Sequence, residues 1–220
     1  MEPAFWHRRW QDNLTGFHQP DVNPYLQAFW PHLGVPSGST VFVPLCGKSL
    51  DMRWLRARGH SVLGVEISPI AVQAFFREND LIPDCRQDVH YSVWSADGME
   101  ILCGDFFDLG PDRLDQVQAV YDRASLIALP PDMRRRYADH LTTLLAPATP
   151  VLLITMEYPQ QQMQGPPFAV EAAEVDTLFG PAFEVEALHS EDILAREPRF
   201  AERGLTRLHE KVYLLRRRTG

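Results

Sequence analysis

Two kinds of hydrophobic pattern alternate along the first half of this chain. Val41-Phe42-Val43 and Val62-Leu63-Gly64-Val65 are apolar runs of strand length, and each is followed by apolar residues at helical spacing. After the first run, Leu50, Trp54, Leu55 and Ala57 form a stripe that ends at Gly59, a helix stop. After the second, Ser68 stands as an N-cap, Pro69 fills the first turn, and Val72, Phe75 and Phe76 make the stripe. Val89 to Trp94 and Met99 to Cys103 flank Asp97-Gly98. That dipeptide supplies the positive φ angles of a type I′ turn and predicts a hairpin. Further strands are expected at 117–121, 151–156 and 212–215, and helices at 133–145 and 171–179. Alternating strands and helices imply an α/β fold with a mainly parallel sheet covered on both faces, binding ligands beyond the carboxyl ends of its strands. Residues 1–33 differ: they read as short helical pieces rich in aromatics, broken at Pro20, Pro24 and Pro31. The expectation is one domain over 1–220, with 1–33 a lid segment and 34–220 the core.

Composition narrows the classes. A chain of 220 residues with 45% apolar content buries roughly 70% of its unfolded surface, enough for a core without metal or disulfide staples. With 21 basic and 29 acidic side chains, a net charge of −8 and no basic block beyond Arg216, Arg217 and Arg218, it lacks the basic face that nucleic acid requires. Cys46, Cys85 and Cys103 are odd in number without CxxC spacing, and the histidines form no HExxH pair. Neither a disulfide framework nor a metal site is expected, and a reducing cytoplasm fits best. The longest apolar stretch, Val151 to Met156, is far short of the roughly 18 residues of a membrane span.

Candidate chemistry gathers at the ends of expected strands. Pro44-Leu45-Cys46-Gly47-Lys48 forms the first strand-to-helix turn, and Glu66 ends the second strand about 20 residues on, where an acidic side chain accepts hydrogen bonds from a ribose diol. The turn has one glycine, whereas a pyrophosphate cradle of GxGxxG type needs three, so a dinucleotide is disfavoured. A nucleoside ligand without a phosphate chain remains, S-adenosylmethionine being the common one. From spacing alone, a packing turn with an incidental Glu competes with this reading. Gly104-Asp105-Phe106-Phe107 follows the next strand, where an acidic group and an aromatic ring suit an adenine; a turn with two core phenylalanines suits the sequence as well. Asp122-Arg123 ends another strand, either as a local ion pair or with Arg123 directed into the ligand cleft.

Together these pieces resemble the thiopurine S-methyltransferase family in its shorter bacterial form, over nearly the whole length. The residues that carry the likeness are Trp6 and Trp10 with Gly16-Phe17-His18-Gln19, the block Phe42 to Lys48, Gly59 to Ser68, Phe107-Asp108-Leu109, Asp122-Arg123, Gly165 to Phe168, and Glu210 to Leu215. The resemblance implies a class I methyltransferase (Rossmann-like) fold, with a mainly parallel seven-stranded sheet, helices on both faces and an N-terminal helical lid. It implies S-adenosyl-L-methionine as cofactor, held by Trp10, Leu45, Glu66, Asp105, Phe106 and Arg123. Phe17, Arg123 and Arg199 match positions beside the substrate, with Arg123 the catalytic residue. The implied reaction is methylation of aromatic and heterocyclic thiols such as thiopurines by a monomer, with no metal. Selenium or tellurium species are an alternative acceptor class, and a non-catalytic cofactor-binding module is a third reading.

Overall fold

The first strand shows how the chain divides its apolar residues between the two sides of a sheet. Val41 and Val43 join one cluster of buried residues and Phe42 joins the other, as the two-residue period of a strand dictates. The computed structural model describes residues 3–16 and 18–218. Its strands are β1 (Thr40–Val43), β2 (Ser61–Glu66), β3 (Asp84–Gln87), β4 (Ser92–Ala96), β5 (Met99–Cys103), β6 (Val117–Arg123), β7 (Val151–Glu157), β8 (Phe183–Asp192) and β9 (His209–Arg217). The helices are α1 (Pro3–Gln11), α2 (Pro24–Phe29), α3 (Asp51–Ala57), α4 (Pro69–Glu78), α5 (Pro131–Leu144), α6 (Ala172–Phe179) and α7 (Pro198–Glu202).

All the described strands lie in one sheet of order β3-β4-β5-β2-β1-β6-β7-β9-β8. The five central strands, β5, β2, β1, β6 and β7, run parallel, and antiparallel pairs complete both edges. The sheet is nine-stranded, not seven-stranded as expected. Both additional strands lie at edges. β3 is exposed throughout and carries no apolar signal. β8, with the sequence FEVEALHSED, is largely polar and is held by its long pairing with β9. The Asp97-Gly98 turn has φ of 49° and 69° and joins β4 to β5 in the expected register, Ala96 opposite Met99.

The N-terminal segment corrects a second expectation. Only its first part reaches the cleft. Tyr25, Leu26, Trp30 and Leu33 are buried against Met52, Val72 and Phe75 on the α3/α4 face of the sheet, so 24–33 is core. Asn23 fixes this turn: its side chain accepts the backbone N–H groups of Tyr25 and Leu26, capping α2, while its own N–H donates to Asp51 at 2.8 Å. Because β1 leads rightward in the sheet order to β6 and leftward to β2, the strand order reverses beside it, and the crevice of such a sheet opens there. Among the described residues, no helix is long and apolar enough to cross a membrane, and no group of three or more His, Cys, Asp or Glu is placed to hold a metal ion.

Candidate active site

The first turn is shaped by its backbone. Leu45 and Gly47 both have positive φ, 46° and 55°, and the Cys46 N–H donates back to the Val65 carbonyl at 2.9 Å. A left-handed leucine costs about 1 kcal/mol or more and is characteristic of binding loops. The loop lies close on β2, because a Cβ at Gly64 would stand 2.8 Å from the Cys46 sulfur. Glu66 then reaches under the turn. One carboxylate oxygen accepts the Gly47 N–H at 2.9 Å and the other accepts the Ser68 N–H at 2.8 Å. Burial pushes its pKa up to about 7, against the opposing pull of the Ser68, Gly47 and Ile67 amides. A carboxylate has about four acceptor positions, so two remain for a ligand.

Gly104 hydrogen-bonds the Glu66 carbonyl and brings the next segment alongside. Asp105 is held twice: its side chain accepts the Phe107 N–H at 2.9 Å, and its carbonyl accepts the Tyr91 hydroxyl at 2.8 Å. The Phe106 ring packs 4.7 Å from Tyr137 and forms part of the cavity wall.

At the end of β6, the Arg123 Nε donates to Asp51 at 2.9 Å. Asp51 is buried at the start of α3 and also accepts the Tyr121 hydroxyl and the Asn23 N–H. Burial acts against the guanidinium charge, but Tyr121, Asp51 and Glu210 outweigh it and hold the pKa above its ordinary value. Asp122 takes no part in the cavity. It points to the other side of the strand, where the Tyr137 hydroxyl donates to it at 2.6 Å and burial raises its pKa to about 6. Cys46 is buried with its thiol pushed well up by desolvation, which suits core filler and not a nucleophile.

These residues surround one cavity of about 340 Å³, a size ordinary for a small-molecule site. Trp10, Leu45, Glu66, Asp105, Phe106, Arg123 and Arg199 all line it. Phe17 lies outside the described residues. Helix α1 covers the cofactor-turn side: Trp6 and Trp10 face inward, His7 hydrogen-bonds the Ile67 carbonyl, and a Cβ on Gly47 would approach the Trp10 ring to 3.3 Å. Arg199 sits half-exposed at the rim, paired with Glu197, and its guanidinium donates to the Gly16 carbonyl, tying α7 to the segment after α1. Pro166 and Pro167, each preceded by a cis peptide bond, and Phe200 also line the cavity.

Arg9, His18 and Glu210, to which the sequence assigned no site role, also face the cavity. The Arg9 Nε is buried there without a hydrogen-bond partner among the described residues. Burial and the Lys48 charge lower the His18 pKa, so its imidazole is neutral near pH 7. Glu210 lies in a strand whose alternation was readable, but its facing depends on the β7–β9 register. Ala124, also on the wall, has φ of 67°. Relief of a left-handed alanine, offset by the chain entropy of glycine, gives Ala124→Gly a net gain of about 0.5–1 kcal/mol, or roughly 2 °C in Tm. A fall in Tm by scanning calorimetry would contradict this.

Residues 1–218 match the family model described as thiopurine S-methyltransferase. The chain is 53% identical over 220 residues to the thiopurine S-methyltransferase of Nitrosospira multiformis, covering 100% of both chains. It is 52% identical over 217 residues to that of Methylococcus capsulatus, covering 98% of each. Among solved structures, it resembles a SAM-dependent methyltransferase from Anabaena variabilis with TM-score 0.68 and 13% identity, covering 98% of this chain and 95% of that one. It also resembles the Burkholderia thailandensis 1,6-didemethyltoxoflavin-N1-methyltransferase, solved with S-adenosylhomocysteine, with TM-score 0.65 and 17% identity over 99% and 87% of the two chains. At such identities the solved structures establish the methyltransferase fold.

Proposed function

Because the chain belongs to the thiopurine S-methyltransferase family, whose methyl donor is S-adenosylmethionine, we propose that it methylates the sulfur of aromatic and heterocyclic thiols in the cavity between α1 and the sheet. The observation that carries this reading is the placement of Glu66 and Arg123 at the carboxyl edge of the same parallel sheet, on the walls of one cavity. The residues present fit an adenosyl donor. Glu66 keeps acceptor capacity for a diol, the turn 45–47 offers close backbone approach, and the buried Arg9 Nε suits a carboxylate.

Bound there, the donor supplies an electrophilic methyl group on a sulfonium. The protein's part is alignment and the exclusion of water, because charge is neutralised as the methyl group moves and a dry site favours that change. Trp6 and Trp10 on α1 exclude water. Arg123, a planar cation that keeps its proton, orients the delocalised thione–thiolate acceptor and stabilises the negative charge that develops on it. Asp105 and Phe106 serve the adenine, Arg199 serves the acceptor, and Phe17 takes a substrate role by its match to the family. The enzyme acts as a monomer on small molecules in a reducing cytoplasm, in keeping with its free cysteines. The test is methyl transfer from S-adenosylmethionine to a panel of thiopurines, aryl thiols and selenite, with products identified by mass spectrometry. S-methylated heterocycles are expected, and turnover of selenite alone would overturn the thiol assignment.

A further inference from the structure

Glu210 is the cavity's unexplained ionisable group. It lies on β9 opposite Met156 of β7, both on the cavity wall, and its carboxylate accepts no hydrogen bond from the described residues. The groups that act on it electrostatically come from every surrounding element: Arg123 and Tyr121 on β6, Glu191 on β8, Arg196 and Glu197 ahead of α7, and Tyr25 on α2. Of these, Arg123 and Tyr121 line the same cavity.

A partner for Arg123 is the simplest role for an acidic residue here, but that role is filled. Arg123 is bonded to Asp51, which is 1% exposed and satisfied by three donors. With Arg123 already bonded to Asp51 and Arg196 to Glu191, an ionised Glu210 sets its negative charge on the cavity wall with no cation bonded to it among the described residues. Placing a thiolate beside it would set two anions together in a poorly hydrated space, which like-charge repulsion opposes. The conflict disappears when the acceptor enters as a neutral thiol or thione and its proton passes to the carboxylate.

We infer that Glu210 is the proton acceptor of the methyl transfer, a reading that rests on the thiol methylation proposed above. The S–H bond of the thiol, or the ring N–H of its thione tautomer, gives its proton to a Glu210 carboxylate oxygen. The electron pair left on the acceptor sulfur forms the new carbon–sulfur bond, and the bond from methyl to sulfonium breaks with its pair remaining on the donor sulfur. A cationic donor, an ionised glutamate and a neutral thiol become a neutral thioether, a neutral glutamic acid and a neutral methyl sulfide, so the net charge of the site is conserved. Burial raises the pKa of the Glu210 carboxyl, countered in part by Arg123, which makes it a stronger base than an exposed glutamate.

The test compares the intact protein with Glu210→Gln and Glu210→Asp on two sets of aryl thiols, one with thiol pKa above the assay pH and one already ionised. For the first set, Glu210→Gln should lower kcat by about 100-fold or more at saturating donor, with the aspartate recovering part of the loss. For the ionised set the deficit should vanish or reverse, because the variant removes a negative charge beside the thiolate. A second readout needs no turnover. With S-adenosylhomocysteine bound, binding of an already ionised aryl thiolate should draw a proton from solution onto Glu210, read by calorimetry in buffers of different ionisation enthalpy, and Glu210→Gln should take up none. In kcat/KM, the acid limb caused by protonation of Glu210 should disappear in Glu210→Gln. An equal loss on both thiol sets, or proton uptake unchanged by the substitution, would overturn the inference. So would an acid limb that survives Glu210→Gln and disappears in His18→Asn. A failure of the unmodified protein to methylate any thiol, despite binding S-adenosylhomocysteine, would overturn the thiol reading itself and the inference with it.

Discussion

Glu66→Ala is expected to weaken S-adenosylhomocysteine binding by a hundredfold or more in isothermal titration calorimetry. Two ribose hydroxyls donating to one ionised carboxylate are worth about 1.5–3 kcal/mol each, and about 2.7 kcal/mol is already a factor of 100. The same carboxylate satisfies the N–H groups of Gly47 and Ser68, so its removal also leaves two donors of the binding turn without partners. Stability should therefore fall as well, by about 1–3 kcal/mol for each donor that water does not reach. Glutamine is no remedy, since its single amide oxygen serves one of those donors and its NH₂ group faces the other. The sign of the pH dependence follows from the raised pKa. Only the ionised carboxylate accepts both hydroxyls, so affinity should rise as pH increases through about 7 and fall nearly tenfold by a unit below. For folding the sign is opposite. The unfolded chain loses this proton near 4.5 and the folded chain near 7, so Glu66 lowers stability progressively across that window as pH rises. A bound diol offsets that cost. Affinity that stays flat from pH 6 to 8 would remove Glu66 from the ribose site.

Arg123→Ala carries the second large effect, and it acts on fold and chemistry together. Asp51 is 1% exposed, and without the guanidinium it keeps the Tyr121 and Asn23 donors but loses its only cation. Leaving a buried carboxylate without its counter-charge costs about 3 kcal/mol, which for this chain length is a Tm loss of roughly 6–12 °C. The expected fall in kcat/KM on thiols is about 100-fold to 1,000-fold, the range for loss of one preorganised donor at a developing or bound anion. Arg123→Lys separates the two effects. A lysine retains the charge that Asp51 requires and loses the planar fork, so most of the Tm should return while most of the activity does not. Adding Asp51→Asn to Arg123→Ala likewise removes the stranded charge. If the double variant regains both stability and full thiol methylation, Arg123 is a structural residue and nothing more.

The elements that position the site were legible because their signals are local. The β1 and β2 runs, the Ser68-Pro69 helix start and the Asp97-Gly98 turn each follow from two to six adjacent residues, and each occurs in the structure. Glu66 and Arg123 were legible as strand ends. What stayed hidden depends on contacts distant in sequence. β3 and β8 are edge strands formed by pairing, without an apolar pattern of their own. The aromatic texture of residues 1–33 gave no means of separating Trp10, which covers the binding turn, from Trp30, which is core. Asp51 carries no signal of its own in the sequence beyond its place in the first turn of α3. Its burial, and with it the double role of Arg123, arises from the return of Asn23 across 28 positions and of Tyr121 across 70. Glu210 was visible as a residue of a matching motif, but the register of β9 on β7 decides that it faces the cavity.

An adenosyl group is expected at the first crossover, with the acceptor at the Arg123 end of the same chamber. A crystal structure with S-adenosylhomocysteine and a thiopurine tests this most directly. Both ribose hydroxyls should lie within about 3 Å of the Glu66 carboxylate, the adenine beside Asp105 and Phe106, and the thiopurine sulfur between the donor sulfur and Arg123. A ribose bound away from Glu66, or a thiopurine bound outside this chamber, would contradict it.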